Sequence, residues 1–572
     1  MGVSTTDIQE KNPLIWLMPL ENNYFVKQIE KELNCSLVFA QILANKDFKD
    51  IPHIKSFLNP LVEELHDPFL MKGMNKAVAR IQEALAKKEK ILVYGDYDAD
   101  GVTSVAVAVL GLKNAYAEVL FYVPKRLEEG YGLNEDAITV AKQKGVSLII
   151  TVDCGITSEK EVALANSLGI DVIITDHHEP PANLPKAFVI LNPKQKDCEY
   201  PFKELAGVGV IYKLLQALGV EEGLMSFVSI GTIADIVPLI SENRILVKNG
   251  LQEIRRSSNI GIKSLLRVTK LEGKDIAATD IGFVLAPRIN ALGRLGDADN
   301  SVKMFVTDNP EVSIDIAKLL EGENNTRQKI EKDILESAIE KIATSFDFDK
   351  DRVIVLQDDY WHEGVVGIVA SRIVERYYRP AVIIGSGTDL CKGSCRSIKG
   401  FNIFQALQNV KEFINKFGGH EYAAGLSISK SKIAEFAKKI NQYAQENLKE
   451  EDLTPKVTID AVVEFKDISV DLYNECEQLS PFGAKNARPT FLIKALKLKA
   501  VPKVVGENHM QFLLSDNKFS YKCVAFKMRH RFEELSQAFL NDRFVSVVFT
   551  LNINEWNGSR YVQLNVRDFR VG

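Results

Sequence analysis

The rhythm of hydrophobic and polar positions changes along the chain. Up to residue 89 apolar residues recur at helical steps, as in Ala77, Val78, Ile81, Ala84 and Leu85, and the run ends in the lysine-rich turn Lys87-Lys88-Glu89-Lys90. Short apolar runs then appear at 91–94, 119–123, 148–152, 172–175 and 188–191, with helical patterns over 102–114, 136–144 and 158–168. Such alternation predicts βαβ units and a parallel sheet. Helical patterns dominate 204–270, and 311–345 reads as one long amphipathic helix. There Ile316, Leu319, Leu320, Ile330, Ile334, Leu335, Ala338, Ile339 and Ile342 fall at three- and four-residue steps, although Gly322 and Asn324-Asn325 weaken its middle. A second α/β pattern begins at 353–356. From 456 onward strand-like runs dominate, at 457–465, 491–498, 510–514, 521–526, 544–553 and 561–569, a spacing that suits a small barrel.

The length of 572 residues supports three or four domains of ordinary globular composition. A net charge of −5 excludes a uniformly basic nucleic-acid coat protein, but it hides a division. Residues 456–572 carry 17 Lys and Arg against 13 Asp and Glu, a surplus of +4, which leaves −9 to the remainder. No apolar run is long enough to predict a membrane span, and the first residues lack the apolar stretch of a signal peptide. The cysteines are scattered at 35, 154, 198, 391, 395, 476 and 523. With one close pair and no second to complete a zinc site, they read as the reduced thiols of a cytoplasmic protein.

The densest chemistry is Gly95-Asp96-Tyr97-Asp98-Ala99-Asp100-Gly101, directly after the predicted strand 91–94. Asp153 follows the strand at 148–152, Asp176-His177-His178 follows the strand at 172–175, and Asp235 follows a helical stretch. Ligands of an open parallel sheet bind at the carboxyl ends of its strands. Carboxylates crowded there repel one another unless cations neutralise them. Oxygen and imidazole donors suit Mn²⁺ or Mg²⁺, and two such ions can drive phosphodiester hydrolysis. Taken singly, the motifs allow blander readings. D-x-D-x-D-G also opens calcium loops, but the twelfth position from Asp96 is Val107 rather than Glu. Asp-His-His after a strand can be a helix cap or a core histidine.

The ordered set resembles the DHH phosphoesterase superfamily, which takes its name from the triplet found here at Asp176-His177-His178. Longer strings resemble its single-strand-specific DNA exonuclease branch: 94–104 (YGDYDADGVTS), 288–295 (RINALGRL), 393–401 (GSCRSIKGF) and 417–425 (FGGHEYAAG). The resemblance implies an α/β multidomain protein. Its expected parts are a helical extension (1–75), a parallel-sheet DHH metal-binding domain (76–300), a connecting helix (301–346), a smaller α/β DHHA1 domain (347–450) and an OB-fold barrel that binds single strands (451–572).

The resemblance also implies 5′→3′ degradation of single-stranded DNA to mononucleotides in recombination and repair, with two Mn²⁺ or Mg²⁺ ions. Asp98, Asp100, Asp153, His177 and Asp235 are then the metal ligands, Asp153 bridging, with Asp96 assisting and His178 orienting or protonating phosphate. Tyr94 stands where the wider superfamily has a histidine, so the shell of one metal differs. A phosphate grip calls for arginine forks and exposed backbone N–H groups. Arg126, Arg288, Asn290, Arg294, Ser394 and Arg396 in a glycine-flanked turn, and Gly418, Gly419 and His420 are the candidates, with Tyr131 to stack a base. Trp361 is read as core. Implied partners are single-stranded DNA, a single-strand-binding protein and a RecQ-type helicase, for a monomer without membrane attachment. Two alternatives are a phosphodiesterase of short oligonucleotides or cyclic dinucleotides, against which 456–572 argues, and a non-catalytic single-strand-binding scaffold, against which the intact ligand set argues.

Overall fold

The alternating apolar runs fold into a parallel sheet. In chain order its elements are α1 (Met74–Lys87), β1 (Lys90–Tyr94), α2 (Ala99–Asn114), β2 (Glu118–Tyr122), α3 (Glu135–Gln143), β3 (Val146–Val152), α4 (Glu159–Ser167), β4 (Asp171–Thr175) and β5 (Val189–Leu191). The strands lie in the order β2-β1-β3-β4-β5, all parallel. The central strands are buried from Leu148 to Val152 and from Val172 to Thr175, which is why those stretches read as apolar runs. Helices α5 (Gly207–Leu218), α6 (Met225–Ala234) and α7 (Ser241–Arg256) complete the layer that shares a core with α2. A π-helical turn at Ile281–Leu285 then leads into α8 (Ala286–Leu295).

The computed structural model describes residues 14–19, 23–126, 128–130, 132–516, 518–556 and 559–572. The chain divides into two units, one of Lys55–Arg327 with Leu479–Ala487, the other of Met1–Ile54, Gln328–Gln478 and Arg488–Gly572. The segment Leu479–Ala487 joins the first unit through Arg244 of α7. This buried guanidinium donates to the carbonyls of Phe57, Leu479 and Ser480, while Leu239 N–H donates to Ala484. The expected long helix is α9 (Pro310–Ser345). Its weak middle is repaired by Arg327, which donates to the buried amide oxygen of Asn324 at 3.1 Å.

The second unit holds a mixed sheet and a barrel. The sheet contains β6 (Ile354–Gln357), β7 (Ala381–Ile384), β8 (Leu390–Arg396), β9 (Lys416–Gly419) and β10 (Ala423–Ser429), with α10 (Val366–Tyr377) against it. Only β6 and β7 are parallel; β8, β9 and β10 add antiparallel pairs. Ser394 and Arg396 are therefore strand residues, not part of a turn. The small polar sequence of β8 hides an alternation in which Cys391, Gly393 and Cys395 face the core. Trp361 is buried.

The barrel strands are β11 (Phe491–Leu498), β12 (His509–Ser515), β13 (Ser520–Ala525), β14 (Val545–Trp556) and β15 (Ser559–Val571). They close in the ring β11-β14-β15-β13-β12-β11, parallel only between β13 and β15. That ring is the five-stranded OB-fold, and closure leaves it few open edges. The run at 457–465 is not one strand. Lys456–Thr458 pairs with Ile15–Leu17, a strand in the extension read as helical, and Ala461–Val462 pairs with β11.

Candidate metal centre

The strand order reverses its direction of growth between β1 and β3, and this switch point opens a crevice at their carboxyl ends. The loop after β1 carries Asp96 and Asp98, and Asp153 follows β3 directly. Local sequence makes the turns possible. Gly101 lies against the backbone of Asp96, where a Cβ would stand 2.5 Å from the Asp96 carbonyl oxygen. Asp98 caps α2 by accepting the Gly101 N–H at 3.0 Å. Asp153 takes a left-handed backbone, φ +60°, held by its N–H bond to Thr175 at 3.0 Å. That conformation costs on the order of 1–3 kcal/mol in a non-glycine residue, and such strain concentrates at functional sites. Ile236, directly after Asp235, adopts φ +60° as well.

Three sets of donor atoms converge, each within 4.8 Å: Asp96, Asp98 and Asp153; Asp100, His177 and Asp235; and Asp153, His177 and His178. His177 Nε2 lies 3.1 Å from Asp153 and 3.7 Å from Asp235, so Asp153 and His177 link the first two sets. Asp96 thus stands inside a donor set rather than beside it. Asp100 is fixed from behind, its oxygens accepting the N–H groups of Gly207 and Val208 at 2.7 and 2.9 Å, the amino end of α5. Asp176 belongs to none of the three sets. It accepts from the N–H groups of Ile156, His177 and His178 and bonds His178 Nδ1 at 2.8 Å, which orients the ring of His178 within the third set.

The electrostatics follow from this crowding. Burial, then the Asp98 charge, hold Asp96 well above its ordinary value and push Asp100 up to about 7. Burial and neighbouring carboxylates raise Asp153 and Asp235 as well. Burial and the adjacent His178 charge push His177 down to about 3, so its imidazole is neutral and can offer a lone pair. Burial opposes charge on His178, but the bond to Asp176 outweighs it and pushes it up to about 9. Asp96 Oδ1 is buried with no hydrogen-bond partner among the described residues. An orphaned oxygen, crowded carboxylates and a neutral imidazole fit hard divalent cations of the Mn²⁺ or Mg²⁺ kind.

Tyr94 is turned into the core, where its hydroxyl donates to Gly132 O at 3.0 Å and accepts from Asn134 at 3.2 Å. Arg126 lies over the Tyr97 ring at 5.2 Å, whereas Tyr131 is outside the described residues. Arg288 is paired with Glu321 and donates to Val284 O at 2.6 Å. Asn290 accepts the Ala99 N–H at 2.7 Å, and Arg294 lies one turn further along α8. Ser394, Arg396, Gly418, Gly419 and His420 belong to the other unit. There Gly418, Gly425 and Ser394 share one row across β9, β10 and β8, and Arg396 pairs with Ala423, whose carbonyl accepts the His420 N–H at 2.8 Å. Sequence reasoning missed two glycines. A Cβ on Gly207 would stand 2.4 Å from Asp153 Oδ1, and one on Gly231 2.7 Å from Asp100 Oδ1. Glycines at the start and middle of otherwise apolar helices were the available signal.

Profiles of known families match this chain in three places: the DHH family N-terminal domain over 90–237, the DHHA1 domain over 350–446 and the RecJ OB domain over 459–568. The sheet edge and its acidic sets therefore define a phosphoesterase of the DHH class. The single-stranded-DNA-specific exonuclease RecJ of Bacillus subtilis is 40% identical over 554 residues, 96% of this chain and 69% of that protein. The RecJ of Salmonella typhimurium is 35% identical over 87% of this chain and 90% of its own length. The crystal structure of Thermus thermophilus RecJ with Mn²⁺ superposes with a TM-score of 0.84 at 29% identity, covering 97% of this chain and 79% of that one. The same protein with Mg²⁺ gives 0.78 at 27% identity, over 97% and 78%. The chain belongs to the RecJ family.

Proposed function

We propose that the protein is a single-stranded-DNA-specific exonuclease that works from the 5′ end, releases mononucleotides by phosphodiester hydrolysis and serves recombination and repair. The observation that carries the reading is the pair of acidic donor sets, joined through Asp153 and His177, at the switch point of a RecJ-family sheet. Asp98, Asp153 and Asp96 form one ligand set, Asp100, His177 and Asp235 the other. Divalent ions held there supply Lewis acidity to the phosphoryl group and a nucleophilic water at neutral pH.

The chain's own residues do the rest. Asp176 holds His178 by Nδ1, so the imidazolium presents its other N–H to the phosphate or to the departing oxygen. Gly207 and Val208 orient Asp100 through two N–H bonds, which favour its ionised form against the opposing effects of burial and Asp98. Arg126, Arg294, Ser394, Arg396 and His420, with the N–H groups of Gly418 and Gly419, grip backbone phosphates, and arginine forks suit that task. The basic OB barrel holds the strand beyond the scissile bond. No helix among the described residues is long and apolar enough to cross a membrane. We place the enzyme in the cytoplasm as a monomer acting beside a single-strand-binding protein and a RecQ-type helicase.

A time course on 5′-phosphorylated single-stranded DNA, labelled at each end in turn and run with and without Mn²⁺, tests the reading. Early release of labelled mononucleotide from the 5′ end alone, only with metal, is expected. Release from the 3′ end first contradicts the polarity. Faster turnover of dinucleotides than of long strands favours the short-substrate phosphodiesterase, and binding without hydrolysis favours the scaffold.

A further inference from the structure

The string RINALGRL reads naturally as a phosphate-binding segment, yet two of its residues face the acidic loop rather than open space. Asn290 Oδ1 accepts the N–H of Ala99 at 2.7 Å across 191 residues of sequence. Ala99 lies between Asp98 and Asp100 and is the first residue of α2, where backbone N–H groups have no partner within the helix. Asp98 satisfies the Gly101 N–H three residues on, so Asn290 supplies an acceptor that the helix itself cannot. One turn along α8, Gly293 is packed against the same loop: a Cβ there would stand 2.5 Å from the Tyr97 carbonyl oxygen. Positions three apart on a helix share a face, so one face of α8 seats both Tyr97 and Ala99.

The helix is itself anchored. Ser301 donates to the Ile289 carbonyl at 3.3 Å, and Arg288 is tied to Glu321 of α9 and to the Val284 carbonyl. We infer that Asn290 is a positioning residue of the metal centre, which with Gly293 fixes the peptide units carrying Asp98 and Asp100. It acts through Ala99 and touches neither metal nor substrate. This inference rests on the proposed metal-dependent reaction and assigns α8 a part in building its site.

The test is Mn²⁺ binding to the metal-free full-length chain, read by electron paramagnetic resonance, alongside kcat and KM on single-stranded DNA. Asn290→Leu keeps the side-chain shape and removes the acceptor, Asn290→Asp keeps the acceptor, and Gly293→Ala pushes on Tyr97 without altering any polar group. Supporting groups one bond beyond metal ligands typically change affinity by about 10- to 100-fold. Asn290→Leu and Gly293→Ala should each weaken Mn²⁺ binding by about that factor and lower kcat, with KM for DNA little changed. Asn290→Asp should retain most of the affinity. Parental Mn²⁺ affinity in Asn290→Leu with a raised KM for DNA overturns the inference in favour of phosphate contact. If Asn290→Leu does not fold, parental affinity in Gly293→Ala overturns it instead. Failure of the parent itself to bind Mn²⁺ defeats the metal-centre reading, a result distinct from either.

Discussion

The carboxyl edge of the parallel sheet and the C-terminal barrel treat charge in opposite ways. In the barrel unit, Lys497 pairs with Asp542, Arg488 with Glu477, and Arg531 with both Glu534 and Asp568. At the sheet edge, Asp96, Asp100 and Asp153 are buried among like charges, and Asp96 Oδ1 has no hydrogen-bond partner among the described residues. The barrel pairs its charges with opposite ones, and the edge crowds like charges together. Such crowding marks where a chain gives up stability for function. The repulsion at the edge is what a bound cation relieves, so metal affinity and apoprotein instability are two readings of one arrangement.

Removing the shared carboxylate should break that contrast most sharply. Asp153→Ala is expected to lower Mn²⁺-dependent hydrolysis by about a thousand-fold or more, since metal stabilisation contributes several kcal/mol and each 1.4 kcal/mol is about tenfold. The metal-free variant should melt no lower than the parent, because one of the buried, mutually repelling carboxylates is removed. A stopped assay and a thermal melt check both. Gly207→Ala comes next. Its Cβ would intrude on Asp153, and a misplacement of about 1 Å costs about 100-fold in rate. Parental activity would show that the Asp153 side chain has room to shift.

Acidity sharpens the comparison further. A raised carboxyl such as Asp100 binds protons more readily in the folded state than in the unfolded one. Its contribution to stability is complete below the ordinary value near 4 and is lost as pH rises through about 7. The metal-free protein should therefore melt a few degrees lower at pH 8 than at pH 5.5, and Mn²⁺ should reverse the order because binding requires deprotonated ligands. A melt that is insensitive to pH would detach the crowding from stability. The smallest effect belongs to the barrel. Lys494 and Lys503 are exposed, and replacing either with Ala should raise KM for long strands a few-fold and reduce the salt slope by about one, with kcat on a dinucleotide unchanged.

How far the sequence reveals all this depends on what each segment must satisfy. β3 and β4 are legible because stretches buried on both faces read as apolar runs, and the acidic residues stand out because they follow them. β8 is not, since its core positions are Cys391, Gly393 and Cys395 and its sequence reads as a polar turn. The strand Ile15–Leu17 is too short for a periodicity, and its partner lies some 440 residues away. The donor residues at the centre follow from motif order alone. Their supports do not. Nothing near Gly207 in sequence announces Asp153, and nothing near Asn290 announces Ala99; both relations exist only once the helices have packed.

The central claim is that the two linked acidic sets hold two divalent ions. Titrating the metal-free chain with Mn²⁺ and counting free ion by electron paramagnetic resonance tests it most directly, in the parent and in Asp153→Ala. Two ions per chain in the parent, with at least one lost in the variant, is the predicted result. No tight site in the parent, or the same stoichiometry and affinity in both proteins, contradicts the account.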